Sequence, residues 1–192
     1  MPASLLAINI VRACWGIFLI VWLFAAASTK HSVFRERREQ RTRYSILLVV
    51  AYLLLLNGRR LPYPLDARVI PQTEAIAWAG AFLCIAGLAF SIWARATLGR
   101  NWSAMVTLKE GHELIEGGPY RLVRHPIYTG MMTMFLATAI VLGHLGGIVG
   151  ALLVFVSFWI KLGHEEKLML KQFPDQYGAY QKRVKRIIPF LL

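Results

Sequence analysis

Apolar residues fall into five runs along the chain, at 5–27, 44–57, 75–94, 126–143 and 147–161. The first contains one charge, Arg12. It is longer than a signal-peptide core and shows no convincing cleavage site, so it reads as a retained span. The second is short, uninterrupted only from Ile46 to Leu56, and taken alone it also fits a buried soluble helix. The third is about a bilayer long. Around His144 and Leu145, with Gly146 and Gly147, the fourth and fifth runs are joined closely, which predicts a tight helical hairpin. Pro62, Pro64 and Pro71 mark 61–74 as a loop on the extracytoplasmic side. The connector 95–125 and the tail 162–192 are the sizeable polar regions.

Composition strengthens this reading. The chain of 192 residues is 57% hydrophobic and only 17% charged, with a mean hydropathy of +0.50. Soluble domains sit near 45–50% apolar and about 25% charged, so the figures argue against an ordinary cytosolic enzyme and exclude a disordered chain. The length fits one membrane domain. No G-x-G-x-x-G turn is present, which argues against a doubly wound nucleotide-binding fold. Cys14 and Cys84 lie inside apolar runs and read as core residues, with neither a disulfide nor a metal site.

The net charge of +12 is explained by its distribution. Segment 28–43 holds six Lys and Arg, 95–125 holds five and the chain from 161 onward holds seven, eighteen of the 22 in all. Five spans place these three segments on one side, which the positive-inside rule makes cytoplasmic, with the N-terminus outside. That pattern also requires the short second run to cross. The basic stretch RERREQRTR at 35–43 is then a juxtamembrane loop against anionic lipid, not a nucleic-acid patch.

Candidate chemistry collects at the ends of the last two spans. GGPYRLVRHPIYTG, residues 117–130, turns at Gly117 and Gly118 and opens the fourth span with Pro126, a residue tolerated at a first helical position. Arg124 and His125 precede it, and Tyr120 and Tyr128 bracket it. A helix N-terminus with a cation beside it suits a carboxylate or a phosphate. Arg, His and Tyr are also ordinary interfacial anchors, the reading preferred for Arg121. The fifth span runs into KLGHEEKLMLKQFPDQY, where Glu165 and Glu166 stand at the mouth of the bundle. Carboxylates there are costly unless paired or used. A solvated i,i+4 face such as Lys161–Glu165 is the plainer alternative. His164 has no second ligand at metal spacing, so no metal site is expected.

HELIEGGPYRLVRHPIYTG, followed after the hairpin by EEKLMLKQFPDQYGAYQKRVKRIIP, resembles the isoprenylcysteine carboxyl methyltransferases over roughly 75–190, in the manner of the compact prokaryotic members. The wider group of phospholipid methyltransferases and sterol reductases shares weaker versions of these motifs. The resemblance implies an all-α integral membrane protein of five transmembrane helices, whose cytoplasmic connector and C-terminal helix form a non-Rossmann pocket for S-adenosyl-L-methionine. It assigns cofactor binding to His112, Glu113, Leu114, Ile115, Tyr120, His125, Pro126, Ile127, Tyr128 and Glu165. A glutamine of some members aligns near Met105, which has no amide. An arginine four residues before the glutamate is Lys161 here, which keeps the charge but loses the bidentate fork.

The implied reaction moves a methyl group from a sulfonium to the carboxylate of a lipophilic, prenylated or isoprenylcysteine-like acceptor, with Arg124 or Lys161 orienting that carboxylate. An ionised carboxylate needs no general base, so alignment and water exclusion supply the catalysis. The acceptor would enter from membrane lipid and the cofactor from the cytoplasm. Two alternatives stand beside this: a phospholipid N-methyltransferase, where a base such as His125 or Glu166 matters more, and a non-catalytic lipid-binding membrane protein.

Overall fold

The structure is a computed structural model that describes residues 3–26, 32–35, 38–99, 102, 107–109 and 114–191. It is a multi-pass helical membrane bundle. The helices are α1 (Ala3–Ala26), α2 (Arg38–Asn57), α3 (Glu74–Leu98), α4 (Pro126–Leu142), α5 (Leu145–Gln172) and α6 (Pro174–Arg183). Single 3-10 turns occupy Gly58–Arg60 and Gly118–Arg121. Strands β1 (Ser32–Arg35) and β2 (Thr107–Lys109) pair antiparallel in a short ribbon, and the bundle itself is all-α, as expected.

The expectation of five transmembrane helices is corrected. Among the described residues, three helices are long and apolar enough to cross: Ser4–Ala26, α3 and α5. α2 starts inside the basic segment, so its first two turns carry Arg38, Glu39, Arg41 and Arg43. Its continuous apolar part covers about 17 Å, well short of the roughly 30 Å hydrocarbon core. α4 has 17 residues, and a rise of ~1.5 Å per residue leaves it short of that core as well. Its buried faces are held by protein on both sides.

The packing order across the bundle is α1, α3, α4, α5, α2. Small residues let α3 and α4 approach closely, as is common between membrane helices. A Cβ on Gly87 would stand 2.7 Å from the Gly130 carbonyl oxygen. Ala7, Val11, Cys14 and Phe18 of α1 join Ala81, Cys84, Leu88, Met134 and Ala137 in the main core. Both cysteines are free and buried. α4 ends at Gly143, whose φ of 76° is the left-handed conformation a helix C-terminus favours and glycine adopts without strain.

Antiparallel packing brings the cationic segments to one end. Arg95, at the end of α3, donates to Ala25 O near the end of α1. Ser157, near the middle of α5, donates to Tyr44 O in the first half of α2. The beginning of α4 and the end of α5 lie at this same end. There α5 continues past Lys161 to Gln172, so His164, Glu165 and Glu166 are helical.

Candidate functional site

The site is built where the tail returns to the start of α4. Val123 pairs with Lys185 as a parallel bridge, Arg124 N donates to Lys185 O at 2.8 Å and His125 N to Arg186 O at 3.0 Å. Thr129 adds a bond to Ile187 O at 2.8 Å. Tail carbonyls thus take the amides of 124 and 125, just before the helix start. Pro126 follows as the first residue of α4 and is buried.

Glu166 is the centre of the polar network, with its side chain only 5% exposed. Its Oε1 accepts from Arg124 Nε at 2.9 Å and Nη2 at 2.7 Å, and lies 3.2 Å from His125 Nε2. Its Oε2 accepts from Arg186 Nε at 3.1 Å, from Arg186 Nη2 and from Gln181 at 3.3 Å. Arg124 Nη1 donates to Val184 O as well, closing the C-terminal end of α6. The Arg186 guanidinium lies 4.5 Å over the Trp159 ring. A buried carboxylate shared by two arginines repays its desolvation only through such complete pairing. Arg124 is therefore fully engaged with Glu166 and the tail.

Glu165, one residue earlier, faces elsewhere and is 21% exposed. It accepts from Tyr128 OH at 2.5 Å and lies 3.7 Å from His125 Nδ1. His125 thus stands between the two carboxylates. Lys161 Nζ lies 5.5 Å from the centre of the Tyr128 ring and 5.6 Å from that of Tyr44. Tyr128 therefore touches an acid through its hydroxyl and a cation through its face.

Tyr120 sits in the 3-10 turn, packed with Ala94 and Ile127, with Ile115, Trp102 and Trp22 around them. Its carbonyl accepts from Tyr180 OH at 2.6 Å. Burial first, then Tyr180 and the Glu165 carboxylate, push the Tyr120 phenol well above its usual range. Tyr177 and Tyr180 of α6 are raised in the same direction, again chiefly by burial.

Of the sequence-predicted residues, His125, Tyr128 and Glu165 meet in one place, and Ile115, Tyr120 and Ile127 form the apolar wall beside them. Leu114 is half-buried just before Ile115. His112 and Glu113 lie outside the described residues. Arg121 lines a surface depression with Glu116, Gly117, Tyr180, Arg183 and Val184, where Arg183 and Glu116 pair at 2.7 Å. Sequence reasoning missed Tyr44, Gln181 and Arg186 as site neighbours. Arg186 was legible only as one more tail cation.

The chain matches the phospholipid methyltransferase family model over residues 75–176 and belongs to that family. Within the family's broader reach it is homologous to the isoprenylcysteine O-methyltransferases. It is 28% identical over 184 residues to a probable protein-S-isoprenylcysteine O-methyltransferase of Oryza sativa subsp. indica, covering 88% of this chain and 96% of the rice protein. It is 31% identical over 127 residues to the protein-S-isoprenylcysteine O-methyltransferase of Rattus norvegicus, covering 63% of this chain and 45% of the rat protein. The solved structure of the eukaryotic intramembrane Ras methyltransferase isoprenylcysteine carboxyl methyltransferase aligns with a TM-score of 0.59 and 26% identity. That alignment covers 78% of this chain and 53% of the solved one.

Family membership implies S-adenosylmethionine as cofactor. The residues present suit it: Glu165 offers charge to a cation, the Ile115–Tyr120–Ile127 wall offers an apolar face, and the buried Nε of Arg95 beside that wall has no hydrogen-bond partner among the described residues.

Proposed function

We propose that this chain transfers the methyl group of S-adenosylmethionine to the carboxylate of a lipophilic, isoprenylcysteine-like acceptor at the cytoplasmic end of the bundle. The carrying observation is that Tyr128 meets Glu165 and Lys161 at once. This sets an acid for a cationic donor next to a cation for an anionic acceptor. The cation-rich end faces the cytoplasm by the positive-inside rule.

Bound here, S-adenosylmethionine supplies an electrophilic methyl group on a sulfonium. Glu165 pairs with the ammonium of that donor, and Tyr128 fixes the orientation of Glu165. His125, Pro126, Ile127, Tyr120, Leu114 and Ile115 shape the rest of the cofactor seat, with His112 and Glu113 completing the set. Glu166, held by Arg124 and Arg186, fixes the imidazole of His125. In this role Arg124 positions other residues, and Lys161 orients the acceptor carboxylate. An acceptor carboxylate is already ionised at neutral pH, so the chain has no proton to remove. The low-dielectric surroundings favour a step in which opposite charges cancel.

The test is titration of S-adenosylhomocysteine into detergent-purified protein. His125→Ala and Glu165→Ala should each weaken binding by about 1–3 kcal/mol, the scale of a hydrogen bond to a charged group. Unchanged binding in both folded variants refutes the assignment.

The description of the matching family favours a second reading, methylation of a phospholipid amine. An amine must lose a proton before it attacks. A rate rising steeply through neutral pH marks the amine, and a flat profile marks the carboxylate.

A further inference from the structure

Arg95 is the buried cation at this end that the network around Glu166 does not reach. It is 4% exposed, in the last turn of α3. Nη1 donates to Gly99 O and Nη2 to Ala25 O, each at 2.7 Å, and the guanidinium lies 4.7 Å over the Trp102 ring. Its Nε is buried and has no partner among the described residues. Among the described residues no carboxylate stands within ion-pair distance of it. A buried cation compensated by carbonyl dipoles and one aromatic face, with no carboxylate, is expensive, and an unmade hydrogen bond adds to the cost. Arg124 and Arg186, by contrast, share the full charge of Glu166.

The position of Arg95 says what would complete it. Ala94, its neighbour in the chain, packs directly on Tyr120 and Ile127, and Trp102 beneath the guanidinium belongs to the same cluster as Ile115. Arg95 therefore borders the wall assigned to the cofactor. Glu165, bonded to Tyr128, and Arg95, beside the Tyr120–Ile127 wall, offer opposite charges to one ligand. They complement a zwitterion of amino-acid type, the ammonium toward Glu165 and the carboxylate toward Arg95.

We infer that Arg95 binds the α-carboxylate of the methyl donor through its free N–H groups while its Nη bonds hold the ends of α1 and α3 in place. This rests on the donor reading above. The rival is a tie between helices with no ligand contact.

The two separate on a comparison of ligands. The full chain in detergent is titrated with S-adenosylhomocysteine and with its decarboxylated analogue, which lacks only the carboxylate. Wild type should bind the analogue about tenfold more weakly or worse, the loss of one charge-assisted hydrogen bond. Arg95→Met should bind both ligands alike, with the analogue bound close to its wild-type affinity. A helix tie alone would weaken both equally and preserve their ratio, and that result overturns the inference. So does a wild type indifferent to the carboxylate. If Arg95→Met fails to fold, Arg95→Lys should narrow the ratio, because an ammonium lacks the fork, and an unchanged ratio is contrary. A folded wild type that binds neither ligand defeats the donor reading itself.

Discussion

Glu166 Oε1 lies 2.7 Å from Arg124 Nη2 and 2.9 Å from Arg124 Nε, joining the end of α5 to the residue two places before α4. Arg186 of the tail reaches the other oxygen of the same carboxylate. Three separate chain segments are thus fastened through one buried side chain.

Removing that charge leaves two arginines facing each other. Glu166→Gln should lower stability by about 3–5 kcal/mol, the usual cost of breaking one side of a buried ion pair. Glu165→Gln should cost about 1 kcal/mol, because that side chain is more exposed and has one neutral donor. Thermal unfolding in detergent ranks them, and the reverse order contradicts the assignment of Glu166 as the structural member of the pair.

The α3–α4 contact gives a second test. Gly87→Val should destabilise by about 1–3 kcal/mol, since its Cβ would meet the Gly130 carbonyl at 2.7 Å. Gly16→Ala meets nothing within 4 Å and should be neutral or slightly stabilising. The same unfolding assay reads both, and a neutral Gly87→Val would show that the helices do not pack this closely.

Burial raises the phenols of Tyr120, Tyr177 and Tyr180 above their unfolded values. In alkali the unfolded chain releases these protons before the folded one does. Stability is thus fully present below about pH 10 and falls as pH rises from there toward the folded values. Each phenol contributes a loss of about 1 kcal/mol per pH unit over that interval. Tyr180→Phe should flatten the decline and also lose its bond to Tyr120 O. An identical slope in the variant contradicts the burial of this hydroxyl.

The motifs brought together in sequence do converge in space where their chemistry is local. The helix start at Pro126 was legible from the proline itself, and the approach of Tyr128 and His125 to Glu165 only through the family resemblance. What was not legible was direction. Neighbours on a helix point about 100° apart, so Glu165 and Glu166 could not be told apart by adjacency. The span count failed for a related reason: hydropathy marks where apolar residues lie, not where a helix begins, and α2 begins among its arginines. Arg186 and Gln181 reach Glu166 only because the tail folds back on α4, and no local pattern announces that turn.

Lys161 tests the acceptor. Lys161→Arg should keep or raise activity on a carboxylate, since the fork grips it at two points. Lys161→Glu should abolish that activity by like-charge repulsion. Cofactor affinity should change little in either. Full activity of Lys161→Glu on the acid would place the acceptor elsewhere.

The most direct measurement is transfer of a tritiated methyl group from S-adenosylmethionine by wild-type protein, with a prenylcysteine analogue and phosphatidylethanolamine supplied side by side across pH 6–9. A carboxylate acceptor held beside Lys161 should give the prenylcysteine methyl ester as the main product, at a rate nearly flat with pH. Preferential labelling of the phospholipid amine, with a rate climbing through neutral pH, would contradict it.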